Sequence, residues 1–342
     1  MSNATMSTAT MSTAPQQSLS EHVVPVEAEA HVTAIHWLDQ TAAFALGDGG
    51  VLLRSGTGES QRVEAHPDAG LLVAAMQGKR LLTGGDDGRV VAVSANGALE
   101  TLVDEKGRWI TALAARNDGA LAWSVGKRVT ARDAKGREHS FEAPTTAQGL
   151  AFAPKGYRLA IAHYNGATLW FPGTEAAPVV LGWKGSHLDI TWSPDGKHVI
   201  TSMQENTLHG WRLADNKDMR MAGYPAKTRS LSWSHDGDWL ATSGADAAIV
   251  WPFAKGGPMG KPPRECGVRP ATVSCVAFHP RALVLAAGYA DGCVLMIRLT
   301  DAAELLVQPA NRSPITALAW DAPGQKLAFG SDNGTAGILT LP

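Results

Sequence analysis

The chain has 342 residues, of which 44% are hydrophobic and 18% charged, with a formal net charge of −2. That balance argues against a general polyanion binder, which would carry a clear basic excess, and no apolar run approaches the roughly 18 residues of a membrane span. Cys266, Cys275 and Cys293 are odd in number and lack Cys-x-x-Cys spacing, so the expectation is reduced thiols in a cytoplasmic protein.

The first twenty residues, MSNATMSTATMSTAPQQSLS, are rich in Ser, Thr, Ala and Met. They have no basic start and no apolar centre, so they do not read as a secretory signal. A disordered tail over 1–20 and a single domain over 21–342 are expected. HVVPVEAE (22–29) then has strand character.

From residue 31 the chain repeats a phrase of about forty residues. Each unit has an alternating apolar strand, a turn such as Pro-Asp-Gly, a second apolar strand ending in small residues, and an acidic or Gly turn. Aligning the residue that ends each first strand gives Trp37, Met76, Ala115, Phe152, Trp192, Trp233, Phe278 and Trp320, with intervals of 39, 39, 37, 40, 41, 45 and 42. Second strands follow in register, from AAFALGD (42–48) to KLAFGSD (326–332), and third strands from VLLRS (51–55) to TAGILTL (335–341). Weaker outer strands include SQRVEA (60–65), LETLVD (99–104), EHSFEA (138–143), PVVLGW (178–183), DMRMAG (218–223) and ELLVQP (304–309). Unit three, over 109–133, is the least regular.

Repeats of four short strands at this period are expected to close into an all-β propeller of four-stranded antiparallel blades. Eight blades are counted, with seven as the alternative. The eighth unit stops after its third strand, so 22–29 is expected to supply its missing outer strand and close the ring.

TWSPDGKHVITS (191–202) and SWSHDGDWLATSGAD (232–246), with Trp211 and Trp251 in the third strands, resemble the WD-repeat (WD40-type) β-propeller family. The resemblance covers about 22–342. The family's Gly-His and Trp-Asp signatures are degraded: Trp211 precedes Arg212, Trp251 precedes Pro252, and Trp170 precedes Phe171. The second-turn acid or amide is better kept, as Asp48, Asp87, Asn165, Glu205, Asp246, Asp291 and Asp332. The resemblance implies a non-catalytic protein-interaction scaffold in which these acids bond backbone within their own blades.

Catalytic signals are poor. There is no Gly-x-Ser-x-Gly, phosphate loop or His-Glu-x-x-His. GDGG (47–50) and GGDDG (84–88) lie between strands and read as hairpin turns rather than nucleotide loops. The eleven histidines are scattered, with no ligand spacing, so no catalytic residue, metal or cofactor is expected. A metal- or small-molecule-handling enzyme with its site at the channel mouth stands as the alternative. The Pro/Gly-rich insertion at 254–266 reads as an exposed loop that tolerates length.

One rim is the candidate binding face. Loops entering each unit carry Arg108, Trp109, Trp183, Lys184, Tyr224, Lys227, Arg229, Arg269 and Arg312, and the second turns add Tyr164, Gln204 and Tyr289. Arg and aromatic residues are enriched where binding energy concentrates. Aromatic residues at these positions also serve packing between blades. The expected partner is another protein or an acidic peptide segment, not nucleic acid or membrane, bound by a monomer.

Overall fold

The computed structural model describes residues 17–342. Residues 1–16 of the expected tail lie outside the described residues. The rest of that tail joins the fold: Gln17–Ser18 adds as a parallel strand to the outer edge of Glu304–Gln308, and Leu19 N–H donates to Leu306 O at 2.7 Å.

The described residues are all-β apart from one 3-10 turn at Ser20–His22. Unit one shows the pattern. Val32–Leu38, Thr41–Leu46, Gly50–Arg54 and Ser60–Glu64 pair in sequence order as an antiparallel sheet. Its second and third strands are almost wholly buried, while Ser60–Glu64 faces water at the edge. That gradient explains why outer strands are the weakest sequence signal. Unit three forms an ordinary four-stranded sheet despite its irregular sequence. In unit six the fourth strand is Arg264–Cys266, the end of the 254–266 insertion. At three residues it is too short for its alternation to be read.

The described residues form seven sheets rather than eight separate blades, which is the alternative count. The reason lies in units four and five. Leu159–Trp170 and Val179–Trp192 each run on as one long strand, so the two units share a six-stranded sheet. One end of Val179–Trp192 pairs with unit four, Leu181 opposite Ala167; the other pairs with unit five, Trp192 opposite Val199. Gly166, at φ +141, permits this continuity, because a Cβ there would strike Leu181 O.

Hydrophobic clusters lie between neighbouring units as well as within them. Val26 and Ala28 of the amino-terminal segment, Ile35 and Phe44 of unit one, and Ala317 and Ala328 of unit eight are buried together. Indoles tie the first strands to one another. Trp37 Nε1 donates to Ala319 O at 3.0 Å, Trp192 Nε1 to Ala151 O at 2.9 Å, and Trp320 Nε1 to Ala277 O at 3.2 Å. Trp233 Nε1 reaches the Thr191 hydroxyl at 3.2 Å. Each bond runs from one unit to the preceding one, and Trp37 to Ala319 joins the first unit to the last.

The amino-terminal strand completes the closure as expected. Val23–Glu27 pairs antiparallel with Thr335–Thr340, Val24 opposite Ile338. Among the described residues the cysteines are free, and Cys275 and Cys293 are buried. Burial pushes their thiols up to about 12 and about 11, so they pack as small apolar groups.

Candidate interaction surface

The loop entering each unit is hydrogen-bonded to a second-to-third strand turn. His66 N–H donates to Gly49 O at 3.0 Å, Glu105 N–H to Gly88 O at 2.8 Å, and Ala147 N–H to Gly126 O at 2.9 Å. Around the ring, Gln204 N–H donates to Ser186 O at 2.9 Å, Ala226 N–H to Gly244 O at 3.1 Å, and Arg312 N–H to Asp291 O at 2.8 Å. The two rows of loops therefore make one continuous, backbone-tied rim. The Asn-Asp-Gly, Pro-Lys-Gly and Pro-Asp-Gly turns at 117–119, 154–156 and 194–196 join first to second strands at the other strand ends.

The loop before unit three is the most heavily fixed. Glu105 is buried, and its carboxylate receives Arg108 Nη2 at 2.6 Å, Trp123 Nε1 at 2.8 Å and Arg128 Nη2. Ile110 N–H closes the loop on Gly85 O at 3.1 Å. The turn beneath holds Gly88 at φ +81, where a Cβ would sit 2.8 Å from Arg108 N. On this clamped loop Trp109 stands 62% exposed. An indole held in water by a rigid backbone pays little ordering entropy when a partner covers it.

The other candidates divide into three groups. Tyr164, Lys184, Gln204, Arg229 and Arg312 are exposed on the rim, and Lys227 is half-buried there. The side chains of Lys184, Lys227, Arg229 and Arg312 have no hydrogen bond or ion pair among the described residues. Arg108 and Arg269 are on the rim but engaged, Arg108 with Glu105 and Arg269 with Asp291 at 3.6 Å and over the Tyr289 ring. Trp183 is half-buried and stacks on His209, ring centroids 3.9 Å apart.

Tyr224 and Tyr289 are corrections: both are buried and do not belong to the exposed rim. Tyr224 Oη is bonded to Thr242 Oγ1 at 2.7 Å and accepts Trp251 Nε1 at 2.6 Å. It fills the place that His66 takes between units one and two. Tyr289 Oη donates to Gly267 O. A phenol can satisfy the same buried polar bonds as an imidazole, so aromatic character alone did not mark these residues as surface. Sequence reasoning missed two contributors. Glu105 organises the Trp109 loop, and the only signal was its position three residues before Arg108. Lys127, exposed in the turn of unit three, is a further cation without a side-chain partner among the described residues.

The histidines act locally. His66 Nδ1 lies 3.1 Å from Asp87 and its Nε2 2.9 Å from Thr83 Oγ1. Hydroxyl, imidazole and carboxylate are thus in line, but His66 and Thr83 are fully buried. Desolvation lowers the His66 imidazole despite Asp87. The trio pins a loop to a sheet, where no substrate reaches it. His163 bonds Thr168 Oγ1 at 2.9 Å, and His187 bonds Thr201 Oγ1 at 2.7 Å, each within its own unit. Among the described residues no three His, Cys, Asp or Glu side chains converge as metal ligands. None of the described helices is long and apolar enough to cross a membrane.

Comparison with known proteins agrees with this architecture. The family model for the WD domain, G-beta repeat, matches residues 221–251 and 264–297. Periodic tryptophan protein 2 of Saccharomyces cerevisiae is 23% identical over 232 residues, 56% of this chain and 25% of that protein. THO complex subunit 3 of Arabidopsis thaliana is 23% identical over 150 residues, 44% of this chain and 46% of that protein. The chain therefore spans well under two thirds of these relatives. The crystal structure of the computationally designed Ika8 protein superposes with a TM-score of 0.74 at 17% identity, covering 92% of this chain and 98% of that one. Repeat match, relatives and sheet architecture together support a WD40 β-propeller.

Proposed function

We propose that the protein is a non-catalytic interaction scaffold that holds an acidic protein segment on its loop rim. The observation that carries this reading is Trp109, 62% exposed on a loop clamped through Glu105. Around the same rim stand Lys184, Lys227, Arg229 and Arg312, cations not neutralised by a described carboxylate. An exposed rigid aromatic on the same rim as unpaired cations suits a partner carrying carboxylates, because Arg bonds them in bidentate fashion. The relatives support a protein partner: one is named as a subunit of the THO complex, and another, 32% identical over 69 residues, as a cofactor of the APC complex. Against nucleic acid stands the net charge of −2.

The test is affinity capture with the full chain, in parallel with two variants. Trp109→Ala/Arg229→Ala/Arg312→Ala should remain folded and lose the captured partner, and the wild-type complex should weaken as salt rises. A loop variant, Lys255→Ala/Met259→Ala, should keep it. A partner retained by the rim variant and lost by the loop variant would place binding on the other face.

A further inference from the structure

One part of the rim is concave. A cleft of about 420 Å³ opens where units five, six and seven meet, walled by Asn206, Lys227, Arg229, Ser243, Thr272 and Ser274. No carboxylate lines it. Several other cations on this face are neutralised, Arg89 by Asp87 at 2.7 Å, Arg108 and Arg128 by Glu105, and Arg269 by Asp291, while Lys127, Lys184 and Arg312, unpaired among the described residues, do not line this cleft. Lys227 and Arg229 are unpaired and share one cavity.

The hydroxyls around them also have capacity to spare. Ser243 Oγ accepts the backbone N–H groups of Arg229 and Ser230, both at 3.1 Å, which leaves its own proton to donate. Thr272, an exposed residue, also lines the cleft. Ser274 is committed, since its hydroxyl donates to Ile315 O. The loop is held in place by Ala226 N–H on Gly244 O.

We infer that this cleft binds a phosphoryl group carried on a protein segment, an inference that rests on the scaffold reading above. The charge selects the ligand: two unpaired cations outnumber the single charge of one carboxylate. A phosphate monoester brings about −1.5 to −2 charge and three strong acceptor oxygens. A nucleic-acid backbone needs a track of cations along successive phosphates, and this cleft offers one pair.

The test titrates the full chain, followed by backbone amide NMR shifts, with three probes: a Glu-phosphoserine-Glu peptide, its unphosphorylated form, and inorganic phosphate. The phosphopeptide should bind about tenfold tighter than the unphosphorylated form, as expected for added charge-assisted bonds. Shifts should concentrate at 226–230, 243 and 272–274. Lys227→Ala/Arg229→Ala should erase the difference, and Lys227→Arg/Arg229→Lys, which keeps both charges, should retain most of it. Equal binding of the two peptides, or a preference that survives the alanine pair, would overturn the inference. Inorganic phosphate binding as tightly as the phosphopeptide would overturn the protein-borne source. If the two peptides bind equally and Trp109→Ala weakens both, the cleft assignment falls while the scaffold reading stands.

Discussion

Two tryptophans show how context separates packing from binding. Trp192 is buried, donates to the preceding unit and lies beneath the Arg158 guanidinium, 4.4 Å from its ring. Trp192→Ala should cost about 3–5 kcal/mol in chemical denaturation, because it leaves a large cavity between units. Trp109→Ala should stay within about 0.5 kcal/mol of wild type, as for a solvent-facing side chain. Similar losses at both positions would contradict the assignment of Trp109 to the surface. The sequence separated these two because Trp192 ends an alternating strand and Trp109 sits among Gly and charged residues. It did not separate Tyr224 and Tyr289 from the rim. Their hydroxyls are satisfied by Thr242 and by the Gly267 carbonyl, partners distant in sequence that no local pattern reveals.

Among elements, the amino-terminal strand carries most of the closure. Val23–Glu27 completes the last sheet and buries Val26 and Ala28 against units one and eight, whereas Gln17–Ser18 adds two exposed residues to an outer edge. Deleting 1–30 should therefore lower Tm sharply, and deleting 1–19 should lower it only slightly. Truncations that melt alike would show that the closing pair is not what holds the ring. This closure was legible because the eighth unit visibly lacks a fourth strand and 22–29 visibly offers one. The sheet count was not. Leu159–Trp170 runs through the Tyr164-Asn165-Gly166 turn, with Asn165 at φ +67 and Gly166 at φ +141, and Val179–Trp192 runs through the loop before unit five, so pairing continues where the repeat suggests a break. Residue spacing records units of sequence and is blind to hydrogen bonds that bridge them.

For the whole molecule, buried imidazoles set the response to acid. Desolvation lowers the fully buried His209 from 6.5 to about 4, although Asp218 acts to raise it. The unfolded chain then binds protons that the folded ring refuses, so stability is full above about pH 6.5 and falls as pH drops towards 4. His209 lies fully buried against Trp183 and Trp211. His209→Phe should keep the ring closed at neutral pH and remove roughly 3 kcal/mol of the acid-induced loss. An unchanged acid limb in that variant would show that His209 is not a source of it.

The same ring presents its loops as one surface, and the central claim is that partners meet this surface. Hydrogen-exchange footprinting of the full chain with its captured partner reads that contact directly. The predicted result is slowed exchange over 105–110, 182–187, 222–230 and 309–314, with 117–119, 154–156, 194–196 and 254–263 unchanged. Protection confined to those latter turns and loop, with the rim exchanging as in the free protein, would contradict it.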